Sequence, residues 1–599
     1  MKKFPYWKYK KYWIATFSII AVFLLTFLFL ISTNPSDNDA TSPSSAQDAD
    51  TLRAYELLGT AKSIKHNLLA SVDDIQANNF TGARSKLASV QKDIASTRAF
   101  IDNNPILLSL VPQAESITKL MNAADMAIAD ILLPGIDLLE SQPISGLRVG
   151  DGFDARLLCA YIDFTESIMP KAEYLIEKAN SFDLSIIDSE GKLTEPLALA
   201  NTLLDIYHET PEIFSMLRAM LGAQEDRLYL IAVQNPSEIR ASGGFPGAMG
   251  TLRIQDGILT IGEFESVVNY LSQRTPSNIQ ITKEEHVLFS YLSSIRNPRD
   301  ADLCPDFERV GHIWASSYEE WHQTPVSGIV SVTPHIVQRL LAVLEKEIEL
   351  SDGLVLTGEN ALKVLIHDIY FKYYDRENPH PDRSRISDQL FAESAKKVLA
   401  EVSGNISLSQ LLKYLPVVQE SIEDRTLMFW MKDEAEQAFI ANIGWSGSLN
   451  KDPQNPEVGI YVNVVSASKM GWFLLMDTEI GEPVANEDGS YSYPITVTFS
   501  NNITPEEINA ADKYISGGLG GSMWAAAYFF APAGGSVDHF EASTGRKISL
   551  KTYNGMTLGF TEHFSIRPDE VITITYTATT APGVDTPLGI SQTPTAQKS

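Results

Sequence analysis

The sequence predicts a multidomain α+β protein held to a membrane by one N-terminal helix. Three observations carry this. Residues 13–32 are an unbroken apolar run behind five lysines. Across residues 52–222 apolar side chains recur every three or four positions, the helical period. From residue 226 alternating, strand-like runs enter, and after residue 457 they are nearly continuous.

The composition agrees. A chain of 599 residues with 44% hydrophobic and 20% charged residues suits several globular domains at roughly 150 residues each. The net charge of −28 repels a phosphate backbone, and no basic patch offsets it, so nucleic acid is not an expected partner. Two cysteines exclude a disulfide-framework scaffold and a multi-cysteine metal cluster.

At the N-terminus, residues 1–12 are a basic segment without acids. By the positive-inside rule it stays in the cytoplasm. Residues 13–32, WIATFSIIAVFLLTFLFLIS, rise about 1.5 Å each in a helix and span about 30 Å, the thickness of a hydrocarbon core. A cleaved secretory signal is the competing reading, with a weak site near Ser45, Ala46 and Ala49. Both readings export the remainder, which carries a net charge of −33 once the five lysines are set aside. The expected localisation is the cell membrane, single-pass, with everything after residue 32 extracytoplasmic.

Residues 33–51, rich in Ser, Asp, Asn, Thr and Pro, read as a disordered linker. Residues 52–222 read as a helical bundle region. The α/β domain spans 226–450: RLYLIAV is a buried strand, and GTLRIQDGILTI is a hairpin turning at Asp256-Gly257. SGIVSV is a further strand, followed by a helix beginning at Pro334. Seven short strands between 457 and 590 predict a β-sandwich, and 591–599 reads as a disordered tail.

Phosphate loops, zinc helices and nucleophile elbows are absent from the sequence. The unusual segment is Gln234 to Gly247, directly after a strand. There Gly243 and Gly244 could turn the backbone or offer N–H groups to an anion, and Glu238 and Arg240 form a local charge pair. The plainer alternative is a structural turn. Tyr370 to Arg376 interleaves aromatics with charges, as a sugar platform or as core with its rim. Asp382-Arg383-Ser384-Arg385 is a charged loop that could pair with Glu238 or Asp306. Cys159 and Cys304 could form a disulfide in an oxidising compartment, or be two buried thiols.

LYLIAVQNPSEIRASGGFPGAMGTLRIQDGILTI resembles exported bacterial proteins of domain-of-unknown-function family 4012. CPDFERVGHIW, DGLVLTGENAL and the C-terminal strands with Lys469, Tyr514 and Tyr528 to Pro532 extend that resemblance. It implies an anchored envelope protein and carries no established activity. More distantly, Ser327 to Gln389 resembles the core of the LytR-CpsA-Psr family, which joins lipid-linked glycopolymers to the cell wall. Ser327–Val332 matches its strand, Leu356–Leu362 its L-x-G-x-x-A-L string, and Arg385 to Gln389 part of its closing stretch. That resemblance implies a LytR-CpsA-Psr-like central domain with phosphate-binding Arg240, Gly243, Gly244 and Arg385. Glu238, Asp306 and Asp382 would be supporting or Mg²⁺-binding carboxylates. The sequence departs from that family at Ile366, Asp368 and Asp388, where arginines are expected.

The expectation is a non-catalytic cell-envelope protein that binds or organises a wall glycopolymer or an envelope protein, with no cofactor. One alternative is a divergent Mg²⁺-dependent transferase of polyprenyl-pyrophosphate-linked glycopolymer, whose arginines and carboxylates must converge in one cleft. The other is a purely structural surface spacer.

Overall fold

The computed structural model describes residues 63–64, 66–68, 70–103, 114–180, 201, 204, 207–208, 210–290, 295–404, 406–466, 468–517 and 520–597. The basic segment 1–12, the apolar run 13–32 and the linker 33–51 lie outside them. Among the described residues no helix is long and apolar enough to cross a membrane. The chain divides into two compact units. One holds residues up to Glu225 with Asp256–Ile258 and Ile406–Leu415. The other holds Asp226–Gln255, Leu259–Asn405 and Pro416–Ser599.

The first unit is mainly helical: α1 (Phe80–Asp102), α2 (Ala114–Ala127), α3 (Leu133–Ser141), a two-stranded pair β1 (Arg148–Val149) and β2 (Gly152–Asp154), α4 (Ala155–Asn180) and α5 (Ile213–Met220). In α1 the buried residues Ala83, Leu87, Val90, Ile94, Thr97 and Ile101 alternate spacings of four and three, so one stripe faces the core. Asn79 accepts from the Gly82 N–H and caps its start. Arg84 reaches both Asp137 and Glu140 of α3.

The second unit opens with a mixed sheet. It contains β3 (Arg227–Asn235), β4 (Phe245–Gln255), β5 (Ile258–Ile261), β6 (Glu265–Ser266), β7 (Gly328–Val332) and β10 (Leu427–Met431), ordered β5-β4-β3-β7-β10 with β6 beside β4. The hairpin turns at Asp256 (φ 49°) and Gly257 (φ 74°), the positive pair a type I′ turn demands. β3 is antiparallel to β4 and parallel to β7, so it lies inside the sheet and is apolar almost throughout. Helices α6 (Lys283–Leu288), α7 (Phe307–His322), α8 (His335–Leu344), α9 (Ile369–Tyr373), α10 (Arg383–Gly404) and α11 (Glu434–Asn442) accompany it, with a small ribbon of β8 (Ile348–Glu349) and β9 (Val355–Leu356). Arg227 at the start of β3 and Glu436 of α11 form a buried ion pair at 2.8 Å.

The remaining strands are β11 (Glu457–Val464), β12 (Leu474–Ile480), β13 (Val484–Ala485), β14 (Tyr491–Asn501), β15 (Met523–Phe530), β16 (Ser536–Ala542), β17 (Ser549–Tyr553), β18 (Met556–Ile566), β19 (Val571–Thr579) and β20 (Gly589–Gln592), with short helices α12 (Pro505–Ala510) and α13 (Lys513–Ser516). They make two sheets, β17-β18-β15-β11-β20 and β12-β14-β19-β16 with β13 beside β14. The pleat of β11 and β15 sorts their side chains. Ile460, Val462, Ala525, Ala527 and Phe529 share a core with β14 and β19 of the other sheet. Tyr461, Ala526, Tyr528 and Phe530 share a core with Leu230 of β3 and Trp314 of α7.

Two expectations change as a result. The strands after 457 are not a separate domain, because one sheet is buried on both faces and its second face completes the α/β core. The residues read as a disordered tail, 591–599, are ordered to 597. β20 pairs parallel to β11, and Thr593 is wholly buried, accepting from the Val462 N–H and donating to the Ala241 carbonyl. Gln, Thr and Pro look like a tail by composition, but backbone pairing holds polar residues as firmly as apolar ones. Cys159, half-buried in the first unit, and Cys304, buried in the second, each carry a free thiol. Cys304 Sγ lies 3.3 Å from the Tyr553 hydroxyl, and burial pushes its ionisation up.

Candidate functional site

The site grows from the turn that ends β3. Asn235 organises it: Oδ1 accepts from the Ser237 N–H at 3.0 Å and from the Ser237 hydroxyl at 2.6 Å, while Nδ2 donates to the Tyr370 hydroxyl at 2.8 Å. The turn 236–238 lies directly against the turn Met470–Phe473. A Cβ on Gly471 would sit 2.4 Å from the Pro236 carbonyl oxygen, so only glycine allows that approach. This brings the side chain of Lys469 onto that of Glu238.

Lys469 and Glu238 form an ion pair that water barely reaches. The Tyr514 hydroxyl donates to the same Glu238 Oε1 at 2.6 Å. Lys469 Nζ stands 4.5 Å from the centre of the Tyr370 ring and 5.5 Å from that of Tyr514, in cation–π range of both. The Lys469 N–H donates to the Tyr514 carbonyl at 2.8 Å. Burial alone would push the Glu238 carboxyl up, but the ammonium of Lys469 and its hydrogen bonds outweigh this and hold it below the usual carboxylate range. Burial likewise pulls the Lys469 ammonium down, and Glu238 more than restores it. Both groups are therefore charged. Burial pushes the Tyr514 hydroxyl well up, so it keeps its proton.

Tyr514 also faces a cleft of about 670 Å³ lined by Tyr374, Asp382, Arg383, Arg385 and Asp512 among others. The rings of Tyr374 and Tyr514 are stacked, 5.6 Å apart and 30° from parallel. Residues around Tyr374 are tied to the segment before α13: the Asp512 N–H donates to the Tyr374 carbonyl, and the Arg376 N–H to that of Ala510. Asp512 caps α13 through the Tyr514 N–H. The Arg383 guanidinium lies 5.2 Å from the Tyr374 ring centre. Arg385 pairs with Asp382 at 3.1 Å, both largely in solvent. Arg383 has no carboxylate partner among the described residues; its hydrogen bond goes to the His380 carbonyl.

The residues singled out in the sequence are thus divided. Arg385 and Asp382 line the cleft, and Glu238 stands one hydrogen bond behind its wall. Arg240 does not pair with Glu238 but with Asp300, at 3.4 Å. In the loop leading to Gly243-Gly244, three backbone N–H groups already have partners inside the fold. The N–H groups of Ala241, Ser242 and Gly243 donate to Asn463, to the Asp302 carbonyl and to the Arg240 carbonyl. Gly244, at φ 141°, passes so close to Asn235 that a Cβ would lie 2.3 Å from its carbonyl oxygen. Asp306 is buried elsewhere, near the Leu449 N–H at 3.4 Å, and does not line the cleft. Of the four aromatics in the run, Tyr370 and Tyr374 are buried and Phe371 and Tyr373 are half-buried, a core with its rim. Among the described residues no group of three or more His, Cys, Asp or Glu could hold a metal ion.

Lys469, Tyr514, Tyr370 and Arg383 carry more of the site than the sequence indicated. The signal for Lys469 was its place as the sole charge between Val464 and Phe473.

A family model described as "Protein of unknown function (DUF4012)" matches residues 224–370 and supports the first resemblance over that stretch. The match contains Asn235, Glu238 and Tyr370, and ends before Tyr374, Arg383, Lys469 and Tyr514. No curated protein and no solved structure matches the chain.

Proposed function

We propose that this is a membrane-anchored, extracytoplasmic binding protein of the cell envelope whose cleft holds a single acidic sugar residue of an envelope polymer. The observation that carries the reading is a cleft lined by both the half-buried Tyr514, whose ring stacks on the buried Tyr374, and Arg383, a cation lacking a carboxylate partner among the described residues. A pyranose ring has an apolar face for an aromatic wall and hydroxyls for charged rims. Asp382 and Asp512 can accept from such hydroxyls, and Arg383 can face one carboxylate or phosphate. The net charge of −28 disfavours a dense polyanion, but salt screens it beyond about 8 Å, so one acidic group beside Arg383 is tolerated.

The transferase alternative asks Arg240 and Arg385 to grip a pyrophosphate together, with carboxylates free for Mg²⁺. Their bonds to Asp300 and Asp382 and the burial of Asp306 weigh against it.

The test is titration calorimetry of the full chain in detergent micelles. The probes are methyl β-D-glucuronide, methyl β-D-glucoside 6-phosphate and uncharged methyl β-D-glucoside. At about −0.3 kcal/mol per heavy atom, a ligand of this size binds near 1 mM. One or both acids should bind about tenfold tighter than the neutral glycoside, and Arg383→Gln should abolish the difference. Failure of all three to bind at ~20 mM, well above that expected dissociation constant, rules the reading out.

A further inference from the structure

We infer that Glu238 sets the ligand specificity of the cleft by fixing the Tyr514 hydroxyl as a pure hydrogen-bond acceptor, so that this wall selects a ligand hydroxyl. The inference rests on the acidic-sugar reading and adds which group of the sugar faces which wall.

A phenol has one proton and two lone pairs. The Tyr514 proton goes to Glu238 Oε1 at 2.6 Å. It cannot turn elsewhere cheaply, because Glu238 is a carboxylate with no proton of its own to give. Lys469 holds it in that state at the same oxygen, deep between the rings of Tyr370 and Tyr514. A hydrogen bond to a buried charge is among the stronger kinds. What Tyr514 can still offer is therefore its lone pairs. A carboxylate, a phosphate oxygen or an ether at that point meets oxygen against oxygen; only a donor fits.

Another group in the same lining has the reverse character. Arg383 is donor-only, so it takes the acid. The sugar is thereby oriented, acid toward Arg383 and one hydroxyl toward Tyr514. Neither Glu238 nor Lys469 touches the ligand in this scheme; they are positioning residues.

The experiment compares the acid probe that binds the full chain with its 2-, 3- and 4-deoxyfluoro analogues, which keep size but cannot donate. One analogue should bind wild type about tenfold more weakly than the parent, the value of one ordinary hydrogen bond. Tyr514→Phe should weaken the parent to the level of that analogue and close the gap. Glu238→Gln alone would strand the Lys469 charge and could unfold the protein, so the second variant is Glu238→Gln with Lys469→Met. There Tyr514 remains but its proton is no longer pinned by a carboxylate, and the gap should shrink.

Three equally tight analogues, or a gap that survives Tyr514→Phe, overturn the inference while leaving the acidic-sugar reading intact. A full gap in the double variant overturns the role of Glu238. If no acid probe binds wild type, the reading beneath falls and this inference with it.

Discussion

Asp306 should cost the protein stability at neutral pH, and replacing it by Asn should return part of that cost. The residue is 3% exposed, and its carboxylate accepts from the Leu449 N–H at the long distance of 3.4 Å. Burial pushes its ionisation from 3.8 up to about 6, a rise that the charges of Lys451 and Arg425 only moderate. The folded state therefore binds this proton more tightly than the unfolded chain does. Stability is highest below about pH 4, falls as pH rises toward 6, and is flat above. At about 1.4 kcal/mol per tenfold in acidity, the loss is about 3 kcal/mol. Asn carries no charge but brings an NH₂ that needs a partner, which offsets about 1–2 kcal/mol. Asp306→Asn should thus be about 1–2 kcal/mol more stable than wild type at pH 7.5 and slightly less stable at pH 4.5. Thermal unfolding of both chains across that range, followed by circular dichroism, reads the crossing. A wild-type-minus-variant difference that does not change with pH would refute the reasoning.

Other consequences are equally direct. Lys469→Met leaves Glu238 buried without its cation and should cost about 3–5 kcal/mol in denaturant unfolding, most of it recovered by adding Glu238→Gln. Thr593→Val removes two buried hydrogen bonds, to Val462 and Ala241, and should cost about 2 kcal/mol. Removing residues 589–599 should lower the melting temperature further and open the β11 edge to proteolysis, since β20 covers it.

The functional reading draws on local order and distant closure in different measure. The hairpin at Asp256-Gly257 was legible because only positive φ at both positions lets the strands return, and the sequence supplies the residues that tolerate it. The strand after Asp226 and the strands after 457 were legible from their alternation. What alternation did not reveal was the second buried face of β11 and β15. Tyr461, Asn463, Tyr528 and Phe530 look like an amphipathic surface in one dimension and become core only when β3 and α7 cover them.

The sequence by itself determined the two regimes of the chain, helical before Asp226 and strand-bearing after it. It also determined the positions of the main turns, because these follow from backbone preferences and the period of the apolar side chains. Tertiary structure alone decided who answers whom. Glu238 was expected to pair with its neighbour Arg240, yet it meets Lys469 and the Tyr514 hydroxyl, 276 residues away, while Arg240 turns to Asp300, 60 residues away. The reason is burial. Exposed charges two residues apart gain little from each other in water, whereas a carboxylate withdrawn from water requires a cation and donors in contact. Only the packing of Gly471 against Pro236 determines which cation is there.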